Sequence, residues 1–121
     1  MTLAALCQVL IALGILNVWI LRPNRATPFR PEGATTLAEE FQRYGLPDWA
    51  HVAVGSTKLA LAALLLLGLV YPPVALPSAL LMSLLMLGAI LAHVRVGDPI
   101  LRSVPAASML IMAAIVVVSY A

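Results

Sequence analysis

Four apolar stretches follow one another along this chain of 121 residues, at about residues 2–21, 49–70, 77–96 and 104–120. A helix needs about 20 apolar residues to cross the roughly 30 Å hydrocarbon core of a bilayer. Inside that core, the backbone N–H and C=O groups must find their partners within the protein. We therefore predict an all-α fold, an up-and-down bundle of four transmembrane helices that forms one integral-membrane domain over residues 1–121.

The composition is that of a chain lying mostly in lipid. Hydrophobic residues make up 63% of it and charged residues 10%, against about 25% charged residues in an ordinary soluble domain. The bilayer is therefore the first expected partner, and no nucleic-acid partner is predicted. The first apolar stretch lacks a positive leading segment, so we interpret it as a retained helix. The single cysteine, Cys7, disfavours dithiol chemistry within the chain.

The segment between the first two spans contains the signals of a short helix. Residues 36–39, Thr-Leu-Ala-Glu, fit a capping box, and Gly45 before Leu46-Pro47 fits a helix stop. Leu37, Phe41 and Tyr44 would share one face of that helix. We predict a short amphipathic helix at 37–44 that lies on the membrane surface or covers the mouth of the bundle. The alternative is that it only joins the two spans.

Arginine placement predicts the orientation. The second connection and both tails hold no Lys or Arg. The first and third connections hold all six arginines: Arg22, Arg25, Arg30, Arg43, Arg95 and Arg102. Positively charged loops remain in the cytoplasm. We therefore expect both termini on the non-cytoplasmic side of a bacterial inner (plasma) membrane.

Polar residues collect near one end of the predicted bundle, where each span contributes one of them: Asn17, His51, His93 and Ser108. Such a cluster is typical of a site that holds the polar head of a ligand. The alternative for the histidines is an interfacial position, and for Asn17 and Ser108 it is a hydrogen bond between helices.

Lys58 lies near the midplane of the second span, where a charge costs about 2.5–3.5 kcal/mol. It shares a helix face with His51 and Gly55, and Met86 on the third span has a similar depth. The spans contain no Asp or Glu, so Lys58 is either neutral or bonds carbonyls, hydroxyls, His51 or a ligand. The alternative is a side chain that extends towards the cytoplasmic surface. The predicted ligand-binding set is Lys58, His51, His93, Asn17, Ser108 and Met86, with no catalytic or metal-binding residue.

Two runs, FQRYGLPDWAHVAVGSTKLALAALLLLGL at 41–69 and MLGAILAHVRVGDP at 86–99, carry a resemblance to the DoxX-like family of small four-helix membrane proteins. The resemblance implies the four-helix fold. It also implies a role like that of relatives that are membrane subunits of thiosulfate:quinone oxidoreductases, partners of oxidative-stress assemblies, or helpers of membrane-protein assembly. At Lys58 the chain departs from the glutamate that is frequent in the family.

Two functions remain open from the sequence. The chain is a membrane subunit or binding module for a quinone-like or other lipophilic molecule, with no covalent cofactor and at most a subunit role in an oxidoreductase. Alternatively, it is a structural or assembly subunit that contacts other membrane proteins or copies of itself. A proton-coupled exporter of cations is disfavoured because the spans lack a carboxylate. No freestanding catalytic constellation, metal motif or nucleotide loop indicates an enzyme.

The orientation is tested by cysteine labelling in a Cys7→Ala background. An impermeant thiol reagent added to intact cells should label a cysteine placed at Thr2 and leave one placed at Arg30 unlabelled, because only the first faces the outside. Labelling at position 30 without labelling at position 2 would reverse the orientation.

Overall fold

The computed structural model describes residues 2–21, 29 and 34–121. Within them lie five α-helices: α1 (Leu3–Leu16), α2 (Leu37–Arg43), α3 (Ala50–Leu67), α4 (Ala75–Arg95) and α5 (Ile100–Tyr120). A π-helical turn, Asn17–Leu21, extends α1, and a 3-10 turn, Pro72–Val74, precedes α4. Four of these segments are long and apolar enough to span a membrane, so the predicted four-span fold with a short intervening helix is confirmed. Of the arginines that predict orientation, Arg22, Arg25 and Arg30 lie outside the described residues.

The short helix α2 begins and ends as its sequence predicts. The Thr36 side chain accepts a hydrogen bond from the Glu39 backbone N–H, with an Oγ1–N distance of 3.1 Å. At the other end, Gly45 adopts a φ of 77°, a left-handed conformation that glycine adopts without steric cost. The N–H of Leu46 then reaches back to the Phe41 carbonyl at 3.2 Å. This is a Schellman turn, and it directs the chain from α2 into α3.

A second Schellman turn ends α4. Gly97 has a φ of 74°, and the Asp98 N–H donates to the His93 carbonyl with an N–O distance of 3.0 Å. The next helix follows at once, because Pro99 caps α5 and Ile100 begins it. Pro105, predicted near the start of this span, consequently lies inside the helix. The α4–α5 connection is short, so Asp98 is held beside the last turn of α4.

The four spans form a ring in which each packs against two neighbours. Helix α1 contacts α3 and α5, and α4 contacts the same two helices. The centre of the ring is filled by fully buried side chains, among them Ile11, Ile15, Leu65, Met82 and Val116. Many other leucines and valines of the spans are exposed on the outside, as lipid-facing side chains of a membrane bundle are.

A buried glutamine joins three helices at the end of the bundle opposite α2. Gln8 is fully buried, and its Nε2 donates to the Leu65 carbonyl at 2.8 Å. Leu65 belongs to the last turn of α3, where carbonyls lack partners within the helix. The Tyr120 hydroxyl donates in turn to Gln8 Oε1 at 3.0 Å. One side chain on α1 thus satisfies polar groups on α3 and α5.

Replacement of Gln8 by methionine keeps the approximate size of the side chain but leaves the Leu65 carbonyl and the Tyr120 hydroxyl without this partner. We expect the free energy of unfolding to fall by about 1–3 kcal/mol. Ser119→Ala is the control, since Ser119 is exposed and bonds only the Ile115 carbonyl of its own helix among the described contacts. Reversible unfolding in detergent measures both variants. If Gln8→Met is as stable as Ser119→Ala, the glutamine does not hold the helices together.

Candidate ligand-binding cavity

A cavity of about 520 Å³ lies at the α2 end of the bundle. Its walls come from the ends of all four spans that lie near α2 and from α2 itself. Most of the lining is apolar, and the described polar side chains that reach it are Asn17, Glu40, Tyr44, Lys58, His93 and Arg102. Sites for small molecules usually measure about 300–1,000 Å³ and combine apolar walls with a few polar groups. The cavity has both properties.

Lys58 lies in this cavity rather than at the lipid-facing surface, with only 7% of the residue exposed. Its Nζ atom is 5.5 Å from the centroid of the Trp19 ring, a distance at which a cation is attracted to an aromatic face. Gly55, one turn before Lys58, makes this approach possible, because a side chain there would collide with the Trp19 indole. Trp19 itself projects from the π-helical turn after α1. The structure therefore places Lys58 inward, against an aromatic ring.

A carboxylate from outside the spans also reaches the cavity. It belongs to Glu40 on α2, which lines the same cavity as Lys58. The Tyr44 hydroxyl, one turn further along α2, donates to Glu40 Oε1 at 3.1 Å. Glu40 lies outside the spans and was for that reason not among the predicted site residues. The available signal was the spacing of Glu40 and Tyr44, which are four residues apart and therefore share a face of α2.

His93 connects α2 to the α4–α5 turn. The residue is buried, and its Nδ1 lies 2.7 Å from Asp98 Oδ2, while its Nε2 lies 3.2 Å from the Tyr44 hydroxyl. Arg102 donates to the second oxygen of Asp98 at 2.7 Å. An ionised Asp98 only accepts hydrogen bonds, so Nδ1 carries the proton in this contact. The result is a continuous polar chain from Arg102 through Asp98, His93 and Tyr44 to Glu40.

Four of the six predicted site residues line this cavity: Asn17, Lys58, Met86 and His93. His51 lines a separate pocket of about 250 Å³, and its Nδ1 lies 2.8 Å from the Asp48 carbonyl. Trp19 lines both pockets. Ser108 is exposed and donates to the Val104 carbonyl of its own helix at 2.8 Å. The structure therefore brings Lys58 together with His93, and it separates His51 and Ser108 from them.

The sequence profile of the DoxX-like family matches residues 29–117, which is most of the chain and includes α2 and the three spans that follow it. No curated protein matches the chain, and no solved structure matches it.

The hydroxyl of Tyr44 is expected to hold α2 on the bundle. Tyr44→Phe retains the ring that packs beside Phe41 but removes the hydrogen bonds to Glu40 and His93. A spin label at the exposed residue Gln42, in a Cys7→Ala background, should become more mobile in this variant. Tyr71→Phe is the control, since Tyr71 is exposed and precedes α4. Identical spectra for the two variants would show that apolar packing alone holds α2.

Proposed function

Since the chain belongs to the DoxX-like family, we propose that it is a membrane-embedded binding module for a lipophilic molecule with a polar head, such as a quinone. The observation that carries this proposal is the position of Lys58, which lies buried at the polar end of a cavity of about 520 Å³ with otherwise mainly apolar walls. A lysine so far from water is costly. A role in binding a ligand oxygen, to which the cavity exposes the Lys58 ammonium, would account for keeping a lysine at this position.

The distribution of the lining residues supports a ligand with a head and a tail. Leu84, Leu85 and Met109 line the apolar part of the cavity and suit an alkyl or isoprenoid chain. The buried Met86 adds a pliable side chain that adapts to different ligand shapes. Asn17, Lys58 and His93 present polar atoms to the head. A lipophilic molecule with an oxygen-bearing ring or headgroup satisfies both parts.

A quinone fits the polar end for two physical reasons. Its carbonyl oxygen accepts hydrogen bonds, and a bond from the Lys58 ammonium is strengthened by the charge. Its flat ring also suits the aromatic residues at this end, where the Trp19 and Phe41 ring centroids lie 5.8 Å apart in an edge-to-face arrangement. Aromatic groups prefer edge-to-face or offset contacts with one another. These two contacts together favour a quinone-like head over a purely aliphatic one.

In the cell, we propose that the protein acts as an accessory membrane subunit of a redox complex in a bacterial inner membrane, with both termini on the non-cytoplasmic side. The chain would supply a binding site for the lipophilic molecule, and a partner subunit would supply the redox chemistry. The arginine distribution supports this orientation. The competing function is that of an assembly subunit without a ligand. A measurement of quinone binding distinguishes the two functions.

The test measures quinone binding through one tryptophan. The chain has two tryptophans, so Trp49→Phe leaves Trp19, which lines the cavity, as the single reporter. A short-chain benzoquinone should quench its fluorescence saturably in lipid nanodiscs. Lys58→Met should weaken this binding about tenfold or more, because a hydrogen bond to a charged group is worth about 1.5–3 kcal/mol.

Thr57→Val is the matched control, because Thr57 is exposed and its hydroxyl bonds the Ala53 carbonyl of the same helix. Its affinity for the benzoquinone should equal that of the unmodified protein. Equal affinity in Lys58→Met would remove Lys58 from the site. Absence of saturable quenching in the unmodified protein would refute quinone binding and favour the assembly role.

A further inference from the structure

The cavity at the α2 end of the bundle reaches the outer surface of the spans. Of the described residues that line it, four are exposed: Asn17, Leu46, Leu84 and Gly88. Asn17 follows α1 and Leu46 follows α2, so both lie at the α2 end. Leu84 and Gly88 lie instead around the middle of α4, which runs from Ala75 to Arg95. A residue exposed in the middle of a span faces the hydrocarbon core. These two residues therefore form an opening from the cavity to the bilayer, the α4 opening.

Gly88 keeps the α4 opening free of a side chain. Glycine is unfavourable inside a helix, and in a membrane span it usually allows another helix to approach closely. Gly14 has that role at this cavity, because a Cβ atom there would collide with the Met109 side chain. A Cβ atom at Gly88 would meet no described atom within 4 Å. The missing side chain at Gly88 thus leaves space at the edge of the cavity.

The α4 opening lies at least as deep in the membrane as Lys58. The start of α3 and the end of α4 are at one level, because Val96 packs against the buried cluster that contains Ala50. At a rise of about 1.5 Å per residue, Lys58 is about 12 Å from Ala50, and Leu84 is about 16 Å from Arg95. An amphiphile with its head at Lys58 would therefore direct its tail through the opening towards the centre of the bilayer.

The size of the cavity supports a tail that continues outside it. The volume of about 520 Å³ is that of a site for a drug-sized molecule, about 300–1,000 Å³. Such a volume holds a ring and the first part of a tail, but not a long isoprenoid chain as well. The rest of the chain needs apolar surroundings, since transfer of each methylene to water is unfavourable. An exit at the α2 end leads towards the membrane surface, whereas the α4 opening leads into hydrocarbon.

We propose that the α4 opening is the tail site of the cavity. The polar head of the ligand lies at Lys58, and its alkyl or isoprenoid tail passes Leu84 and Gly88 into the bilayer. This inference rests on the proposed function and identifies where the tail of the ligand lies. A ligand placed in this way enters and leaves the cavity without crossing the aqueous phase.

The experiment compares two benzoquinones that share one ring, one with a decyl tail and one with a methyl group in its place. The full chain with Trp49→Phe, here the parent protein, is reconstituted in lipid nanodiscs. Quenching of Trp19 fluorescence then gives the apparent Kd of each quinone. Each variant is compared with the parent in the same lipid, so the partitioning of a quinone into the bilayer cancels in the ratio of the two Kd values.

Gly88→Phe places a ring in the α4 opening. We expect the Kd of the decyl compound to rise about tenfold, which corresponds to about 1.4 kcal/mol, and the Kd of the methyl compound to stay unchanged. Gly88→Leu should act in the same way and favours the helix more than glycine does. Leu87→Phe is the matched control, because Leu87 is the exposed neighbour on α4 and is not among the lining residues. It should change neither Kd.

Two results would overturn the inference while quinone binding stays in place. The first is a Kd for the decyl compound that is the same in both Gly88 variants as in Leu87→Phe. The second is an equal loss of affinity for the two quinones, which would assign Gly88 to the head of the ligand instead of its tail. Circular dichroism checks that each variant keeps its helical content. If neither quinone quenches Trp19 of the parent protein saturably, the proposed function itself fails.

Discussion

A lysine side chain near the middle of a membrane span costs several kcal/mol unless its surroundings stabilise it, and the α2 end of this bundle is arranged around that requirement. The Trp19 ring lies 5.5 Å from the Lys58 Nζ, and Gly55 leaves the space that this ring occupies. A carboxylate of opposite charge, that of Glu40, lines the same cavity from a helix of only seven residues outside the spans. The position of α2 therefore determines whether this carboxylate lies at the cavity.

The position of α2 depends in turn on two turns made by glycines. Gly45 ends α2 with a positive φ, and Gly97 does the same for α4. The second turn folds Asp98 back onto His93, so that Asp98 Oδ2 lies 2.7 Å from His93 Nδ1. That contact orients the imidazole, whose other nitrogen meets Tyr44 of α2. The left-handed conformation of Gly97 at the end of α4 thus helps to determine where α2 is held.

The fold could be predicted further from sequence than the site could. Apolar length identified the four spans, and the capping pattern at Thr36 identified α2 because both signals are local. Depth along each helix grouped Lys58 with His93, and both line the cavity. Depth does not determine the direction in which a side chain points around its helix, and for that reason Ser108 remained in the predicted set although it faces outward. Glu40 was missed because its place at the cavity depends on how α2 docks, which no local pattern encodes.

The docking of α2 and the binding of a ligand are thermodynamically coupled if the ligand contacts both α2 and the spans, which together line the cavity. Such a ligand binds more tightly when α2 is docked, so it must also stabilise the docked state by the same factor. When only a fraction of the molecules has α2 docked, the apparent affinity falls by that fraction. The hydrogen bond between Tyr44 and His93 joins α2 to α4. A substitution that removes it would lower the docked fraction and, through that fraction, the apparent affinity.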